Sequence, residues 1–265
     1  MASRTKQKEE ARARRLAEEQ ARAERARRQR RLQMVGGIIL AAVAIVAVAV
    51  AISSSGSGSS GLQSGANASK TASSVSQLLT GLPQSGATVG NPNAPVTVDY
   101  YGDLQCPICR DFTVSGGWPE LLQKDVRQGK VKVVYKAFET ATRDPSVFQT
   151  QQVAALAAGK QNKFWDYVEL FYKEQGAEGS GYVNDSYLTG LARQVPGLSL
   201  SQWQAARNDS ALPAQVQADT AAGNSAGVTG TPTLIAKGPK GTVPVTSSTG
   251  VPSYSELQKA IQAAQ

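Results

Sequence analysis

Histidine is absent from all 265 residues, and cysteine occurs only twice. The first absence removes the commonest metal ligand and the commonest acid–base group together. The second excludes a scaffold held by several disulfides, and a chain of this length can build a core without them. A basic folded surface is missing as well. Lys and Arg number 28 against 20 Asp and Glu, a net of +8, but 12 of the basic and 5 of the acidic residues fall in positions 1–33. Positions 34–265 therefore hold 16 basic and 15 acidic residues. With so little net charge, the body of the chain offers no basic face for nucleic acid.

Long apolar runs are equally scarce, with one exception. The 18 residues from Val35 to Ile52 are all Gly, Ala, Val, Ile or Leu. At about 1.5 Å per residue such a helix covers roughly 27 Å, close to the hydrocarbon thickness of a bilayer. Arg27, Arg28, Arg30 and Arg31 stand directly before it, and the next basic residue is Lys70. That asymmetry predicts a single transmembrane helix over 34–52, with the N-terminus cytoplasmic and the rest outside. Ala49-Val50-Ala51 also fits the cleavage site of a signal peptide. The long preceding arm and the length of the run favour an uncleaved anchor.

Residues 1–33 read as a basic cytoplasmic arm, solvated and able to touch anionic membrane lipid. Residues 53–86, dominated by Ser and Gly, read as a flexible linker. Val75, Leu78 and Leu79 suggest at most one helical turn within it. Folded structure is expected over 87–265. Val96 to Tyr101 and Val131 to Phe138 read as strands flanking a helix that begins at the cysteines, a βαβ unit. From about 145 to 223 apolar residues recur at helical spacing, among them Phe164, Trp165, Phe171 and Trp203, whose expected role is core packing. Pro232 to Ala236 and Thr242 to Val245 read as a hairpin. Ser253 with Glu256 forms a capping box that opens a closing helix. The plan is α/β, a βαβ half and a ββα half separated by a helical insert.

Both cysteines lie in Cys106-Pro107-Ile108-Cys109. A zinc site needs about four ligands, and no other Cys and no His exists to complete one. Attachment of c-type haem needs His after the second Cys, where Arg110 stands. A purely structural disulfide would close a very short loop, which stabilises least. A redox dithiol remains the best reading. With the helix starting at Cys106, free N–H groups and the positive end of the macrodipole favour its thiolate. Pro107 fits the first helical position, where a missing N–H costs nothing. Cys109, one turn deeper, is expected to be shielded and to resolve a mixed disulfide. A stabilised thiolate favours the reduced form, which makes the disulfide more oxidising.

The segment Tyr101-Gly102-Asp103-Leu104-Gln105-Cys106-Pro107-Ile108-Cys109 resembles the active site of DsbA-like thiol:disulfide oxidoreductases, in particular the membrane-anchored Gram-positive and actinobacterial type. Gly227-Val228-Thr229-Gly230-Thr231-Pro232-Thr233 resembles that family's cis-proline loop, and Lys163 to Tyr167 its inserted helices. The likeness spans about 87–263. It implies a thioredoxin-like fold, Cys106 as nucleophile, Cys109 as resolving thiol, a cis bond between Thr231 and Pro232, and a substrate strand pairing with the Thr231 backbone. It implies no cofactor beyond the Cys106–Cys109 pair. Its implied partners are exported cysteine-containing proteins and a membrane quinone-linked reoxidase, vitamin K epoxide reductase-like or DsbB-like. The best-known members carry His where this chain has Ile108, so a milder oxidant is expected. Glu139, after the second strand, is a weak candidate for proton transfer to Cys109 and reads more readily as a strand-end surface residue.

Overall fold

The computed structural model of the protein describes residues 61–265. The arm at 1–33 and the expected membrane span at 34–52 lie outside the described residues. Among the described residues no helix is long and apolar enough to cross a membrane.

The described chain opens with a correction. The stretch read as linker contains a 15-residue helix, α1 (Gly65–Leu79), followed by two short strands, β1 (Gln84–Ser85) and β2 (Thr88–Val89). Ala72, Val75 and Leu79 are buried and share one helical face. Its other positions are mostly Ser, Thr, Asn and Gln, so its composition resembles a tether while its packing face is real. Burial of Val75 and Leu79 is worth roughly 1.5–3 kcal/mol each. At the C-terminus of α1, Arg127 donates to Thr80 O at 2.7 Å and to Leu78 O at 3.1 Å. A cation there also complements the helix dipole.

The central pair of strands follows the expected βαβ path. β3 (Val96–Gly102) and β4 (Val131–Ala137) are parallel, with Val96 opposite Val131 and Tyr100 opposite Tyr135. Between them run α2 (Pro107–Val114), α3 (Trp118–Leu121) and a π-helical turn, Leu122–Val126. β5 (Thr233–Gly238) and β6 (Gly241–Pro244) form the expected hairpin, and the sheet order is β1-β2-β4-β3-β5-β6. β3 is buried along nearly its whole length, as a central strand covered on both faces must be. At its end Gly102 is required by close packing, since a Cβ there would come within 2.7 Å of the Tyr135 ring.

The helical insert comprises α4 (Pro145–Gly159), α5 (Phe164–Lys173), α6 (Asp185–Gln194), α7 (Leu200–Ala206) and α8 (Ala211–Ser225). Asp144, Asn184 and Ser199 cap the first, third and fourth of these through their side chains. Phe164, Trp165, Phe171 and Trp203 are fully buried. Trp165 stacks on Trp118 at 4.4 Å between ring centroids and ties α5 to the corner after α2. The insert shares this core with the sheet: Asp219 of α8 accepts from Lys136 at 2.9 Å and from Ala137 N at 3.3 Å. α9 (Tyr254–Ala264) closes the chain with the expected capping box of Ser253 and Glu256.

Candidate active site

β3 ends in a turn that delivers Cys106 to the N-cap of α2, with Pro107 in its first turn. The Cys106 sulfur accepts from Cys109 N at 3.3 Å, and its thiol donates to Thr231 O at 3.3 Å. Both cysteines are free thiols. The Thr231–Pro232 peptide bond is cis. The structure thus brings together Cys106, Cys109, Thr231 and Pro232, with Cys106 and Thr231 125 positions apart in the chain. Ile108 lies alongside with its side chain exposed; it and Val114 are the exposed large apolar residues among those described.

The approach of Thr231 depends on the loop before it. Val228 is buried against Tyr101, Phe138 and Ile235, and its N–H donates to Gly223 O at 2.9 Å. Gly227 takes a positive φ of 74° there, a conformation that costs glycine little. Thr233 Oγ1 donates to Gly230 O at 2.7 Å and closes the turn on itself.

The two sulfurs sit in opposite environments. The Cys106 thiol is pulled down to about 6, first by the hydrogen bond that the Cys109 thiol offers its sulfur. Burial opposes that shift, while the Thr231 side chain and the amides of Cys109 and Ile108 reinforce it. The Cys109 thiol is pushed well up, first by burial, then by its donor role towards Cys106 and by the charge that Cys106 carries. Cys106 is therefore the group that ionises near neutrality, and Cys109 is held protonated.

Asp103 is the site residue that reading the sequence passed over as part of a turn. Its carboxylate is fully buried and collects six hydrogen bonds. Oδ2 accepts from Thr140, Ala141 and Thr142 N–H groups at 3.0, 2.9 and 2.8 Å. Oδ1 accepts from Gln105 N, Thr142 Oγ1 and Gln151 Nε2 at 3.0, 2.6 and 3.2 Å. One side chain thereby locks the cysteine turn to the loop after β4 and to α4. That loop reaches the cis-proline segment, where the Thr140 and Thr231 hydroxyls share a hydrogen bond. The only local hint was position: a small acceptor three residues before the helix N-cap, of the kind that ties turns to nearby backbone.

Below Cys109 three buried phenols gather. Tyr100 OH pairs with Thr113 Oγ1 at 3.3 Å and with Tyr172 OH at 3.5 Å, and Gln152 Nε2 donates to Tyr135 OH at 3.4 Å. Tyr100, Tyr135 and Tyr172 are all pushed well up, burial being the first cause in each, so they remain neutral donors. Glu139 is not part of this cluster. It is half-buried, and its carboxyl is raised by burial and then by the charges of Asp103 and Asp144 rather than by either sulfur. Among the described residues no group of three or more acidic or sulfur ligands is placed to hold a metal.

A βαβ unit joined to a ββα unit, with a Cys-x-x-Cys helix facing a cis-proline, defines a thioredoxin-like architecture. The family model described as thioredoxin matches residues 84–263. The chain belongs to that family and is a DsbA-like thiol:disulfide oxidoreductase. A probable disulfide bond formation protein D from Bacillus anthracis is 23% identical over 175 residues, spanning 66% of this chain and 76% of the relative. Among solved structures, oxidised BdbD from Bacillus subtilis superposes with a TM-score of 0.57 at 20% identity, over 69% of this chain and 96% of its own. A thioredoxin-like oxidoreductase from Silicibacter pomeroyi gives 0.54 at 25% identity, over 71% and 96%.

Proposed function

We propose that this chain is a membrane-tethered oxidoreductase that works outside the cytoplasm and introduces disulfides into exported proteins. The observation that carries the reading is the asymmetry of the pair, with Cys106 at about 6 beside a buried Cys109 pushed well up. A thiolate favoured in the reduced protein makes the corresponding disulfide a better electron acceptor. A substrate thiolate attacks Cys106 Sγ of the disulfide, the S–S bond breaks, and Cys109 leaves and takes up a proton. A second substrate thiolate then attacks the substrate sulfur of the mixed disulfide and displaces Cys106 as thiolate. Two electrons have passed from substrate to the pair, and no further cofactor is required.

The reduced pair must then pass its electrons on, and a membrane quinone-linked enzyme of the vitamin K epoxide reductase-like or DsbB-like kind is the partner this reading calls for. The apolar run at 35–52 and the arginines before it support the tether and its orientation. Ile108, exposed beside the nucleophile where the best-known family members carry His, favours a second reading. Without an imidazolium the driving force for oxidation is smaller, and reductase or isomerase work with the same residues becomes accessible. Equilibrating the full chain with reduced and oxidised glutathione separates the two. A potential well above that of thioredoxin, about −270 mV, is expected. A value near thioredoxin's overturns the oxidase direction. A non-catalytic binding module with an inert disulfide instead requires Cys106 to titrate as an ordinary thiol in the reduced chain.

A further inference from the structure

The cysteine turn has a second support that comes from the helical insert. Gln175, two residues past the end of α5, donates from one amide nitrogen to two carbonyls of that turn, Leu104 O at 2.8 Å and Cys106 O at 3.2 Å. One turn earlier, Tyr172 OH donates to Asp103 O at 3.4 Å. Asp103, Leu104 and Cys106 thus each present a carbonyl to the end of α5. Asp103 O accepts from Cys106 N as well, at 3.0 Å, and Cys106 O from Arg110 N at 3.1 Å. Leu104 O has Gln175 as its one hydrogen-bond donor among the described residues.

We infer that Gln175 is a positioning residue that sets the reactivity of Cys106 from the helical insert. The reacting sulfur is stabilised by N–H groups at the start of α2, and the carbonyls of 104 and 106 belong to the turn that leads into that helix. Gln175 pairs both with a neutral donor, and so holds the turn in the geometry that keeps Cys109 N against the sulfur. If the donor is removed, Leu104 O must find another partner or water, because an unpaired buried carbonyl is costly. Either adjustment relaxes the cap on which the Cys106 thiolate depends. The thiolate exists only in the reduced protein. The loss therefore falls unequally on the two redox states and changes the potential.

The inference rests on Cys106 being the reacting thiol, which alkylation of the wild-type chain tests separately. The experiment uses the full chain in detergent with Gln175→Met, which keeps length without a donor, and Gln175→Glu, which sets an acceptor against the two carbonyls. The pH profile of Cys106 alkylation, the equilibrium constant with glutathione, and the thermal midpoints of both redox forms are read. Gln175→Met is expected to move the alkylation midpoint upward and to make the disulfide up to tenfold less oxidising, about 30 mV. Gln175→Glu should go further in the same direction. A merely structural role destabilises oxidised and reduced forms alike and leaves both the constant and the midpoint unmoved. That result in either folded variant overturns the inference, even where the wild-type chain behaves as an oxidase.

Discussion

Cys106 and Cys109 lie three residues apart on one helix, yet they are built as opposites. Cys106 is reached from two directions: the Cys109 thiol, the α2 amides and the Thr231 side chain favour its charge, while the Thr231 carbonyl accepts from its thiol. Cys109 faces inward to phenols that are themselves neutral, and burial holds its proton in place. The difference teaches that reactivity here is a property of position on the helix rather than of the dithiol as a unit. The largest test of that contrast removes one sulfur at a time. Cys106→Ser should abolish thiol–disulfide exchange and leave Cys109 inert to alkylation across neutral pH. Cys109→Ala should leave Cys106 reactive but move its midpoint upward from about 6, because the leading cause of the lowering is the Cys109 thiol. An unmoved midpoint in Cys109→Ala would mean that the helix amides alone set the value.

The next test breaks the scaffold that keeps the two environments apart. Asp103→Ala leaves six donors without their acceptor, several of them buried. Each buried donor left without its acceptor costs about 1–3 kcal/mol, so even with water replacing part of the network denaturant melts should show a loss of several kcal/mol. Asp103→Asn keeps one acceptor oxygen and should lose less. Because the Thr140 loop and the cysteine turn part company, exchange activity should fall even where the fold survives. Equal stability of the alanine variant and wild type would show that water replaces the carboxylate at no cost.

These two sites were not equally legible before the structure. The Cys-Pro-Ile-Cys segment carries its own local signal, a helix start with proline in its first turn, whereas the role of the Thr231–Pro232 loop was legible only through its resemblance to the cis-proline loop of DsbA-like oxidoreductases. Asp103 looked like any turn residue, since five of its six donors arrive from 37 to 48 positions away. Gln175 was hidden in the same way, 69 and 71 positions from its acceptors. α1 failed for a different reason. Its apolar positions, Ala72, Val75 and Leu79, are too few to produce a visible period in a Ser-rich segment, and its C-terminal carbonyls are satisfied by Arg127 from far along the chain. Pattern reading recovers elements that carry their own periodicity, and it misses those that the rest of the fold completes.

A smaller effect follows from pH. In the unfolded reduced chain Cys106 titrates near the ordinary thiol value of 9, whereas folded it titrates near 6. A depressed acid stabilises the fold fully above the unfolded value, and that stability is lost as pH falls through the folded value. The reduced form should therefore gain stability relative to the oxidised form as pH rises from about 6 to about 9. The slope should approach about 1.4 kcal/mol per pH unit at most. Cys109, whose value is raised, is protonated in both states over the lower part of that window and opposes the gain only as the unfolded thiol begins to ionise towards 9. Paired melts of the two redox forms at several pH values measure the slope. A flat difference between pH 6 and 9 would remove the thiolate from the account.

The smallest expected effect belongs to Glu139, and it sharpens the contrast by testing where the proton of Cys109 can go. The side chain lies on the loop after β4 and feels Asp103 and Asp144 rather than sulfur. A raised carboxyl means that its charge is disfavoured in the fold. Glu139→Gln should therefore stabilise the protein slightly at neutral pH, by a few tenths of a kcal/mol as for other surface changes. That gain should vanish as pH falls and wild-type Glu139 becomes protonated. The alkylation profile of Cys109, measured in a Cys106→Ser background, should be the same with Glu139 or Gln. If Glu139→Gln instead slows the resolving step while leaving Cys106 unchanged, the carboxylate reaches the buried sulfur during turnover. In that event the proton of Cys109 leaves past Glu139. Otherwise the Cys106 sulfur, to which the Cys109 thiol donates, is the acceptor at hand, with the neutral hydroxyls of Tyr100, Tyr135 and Tyr172 on the inner side.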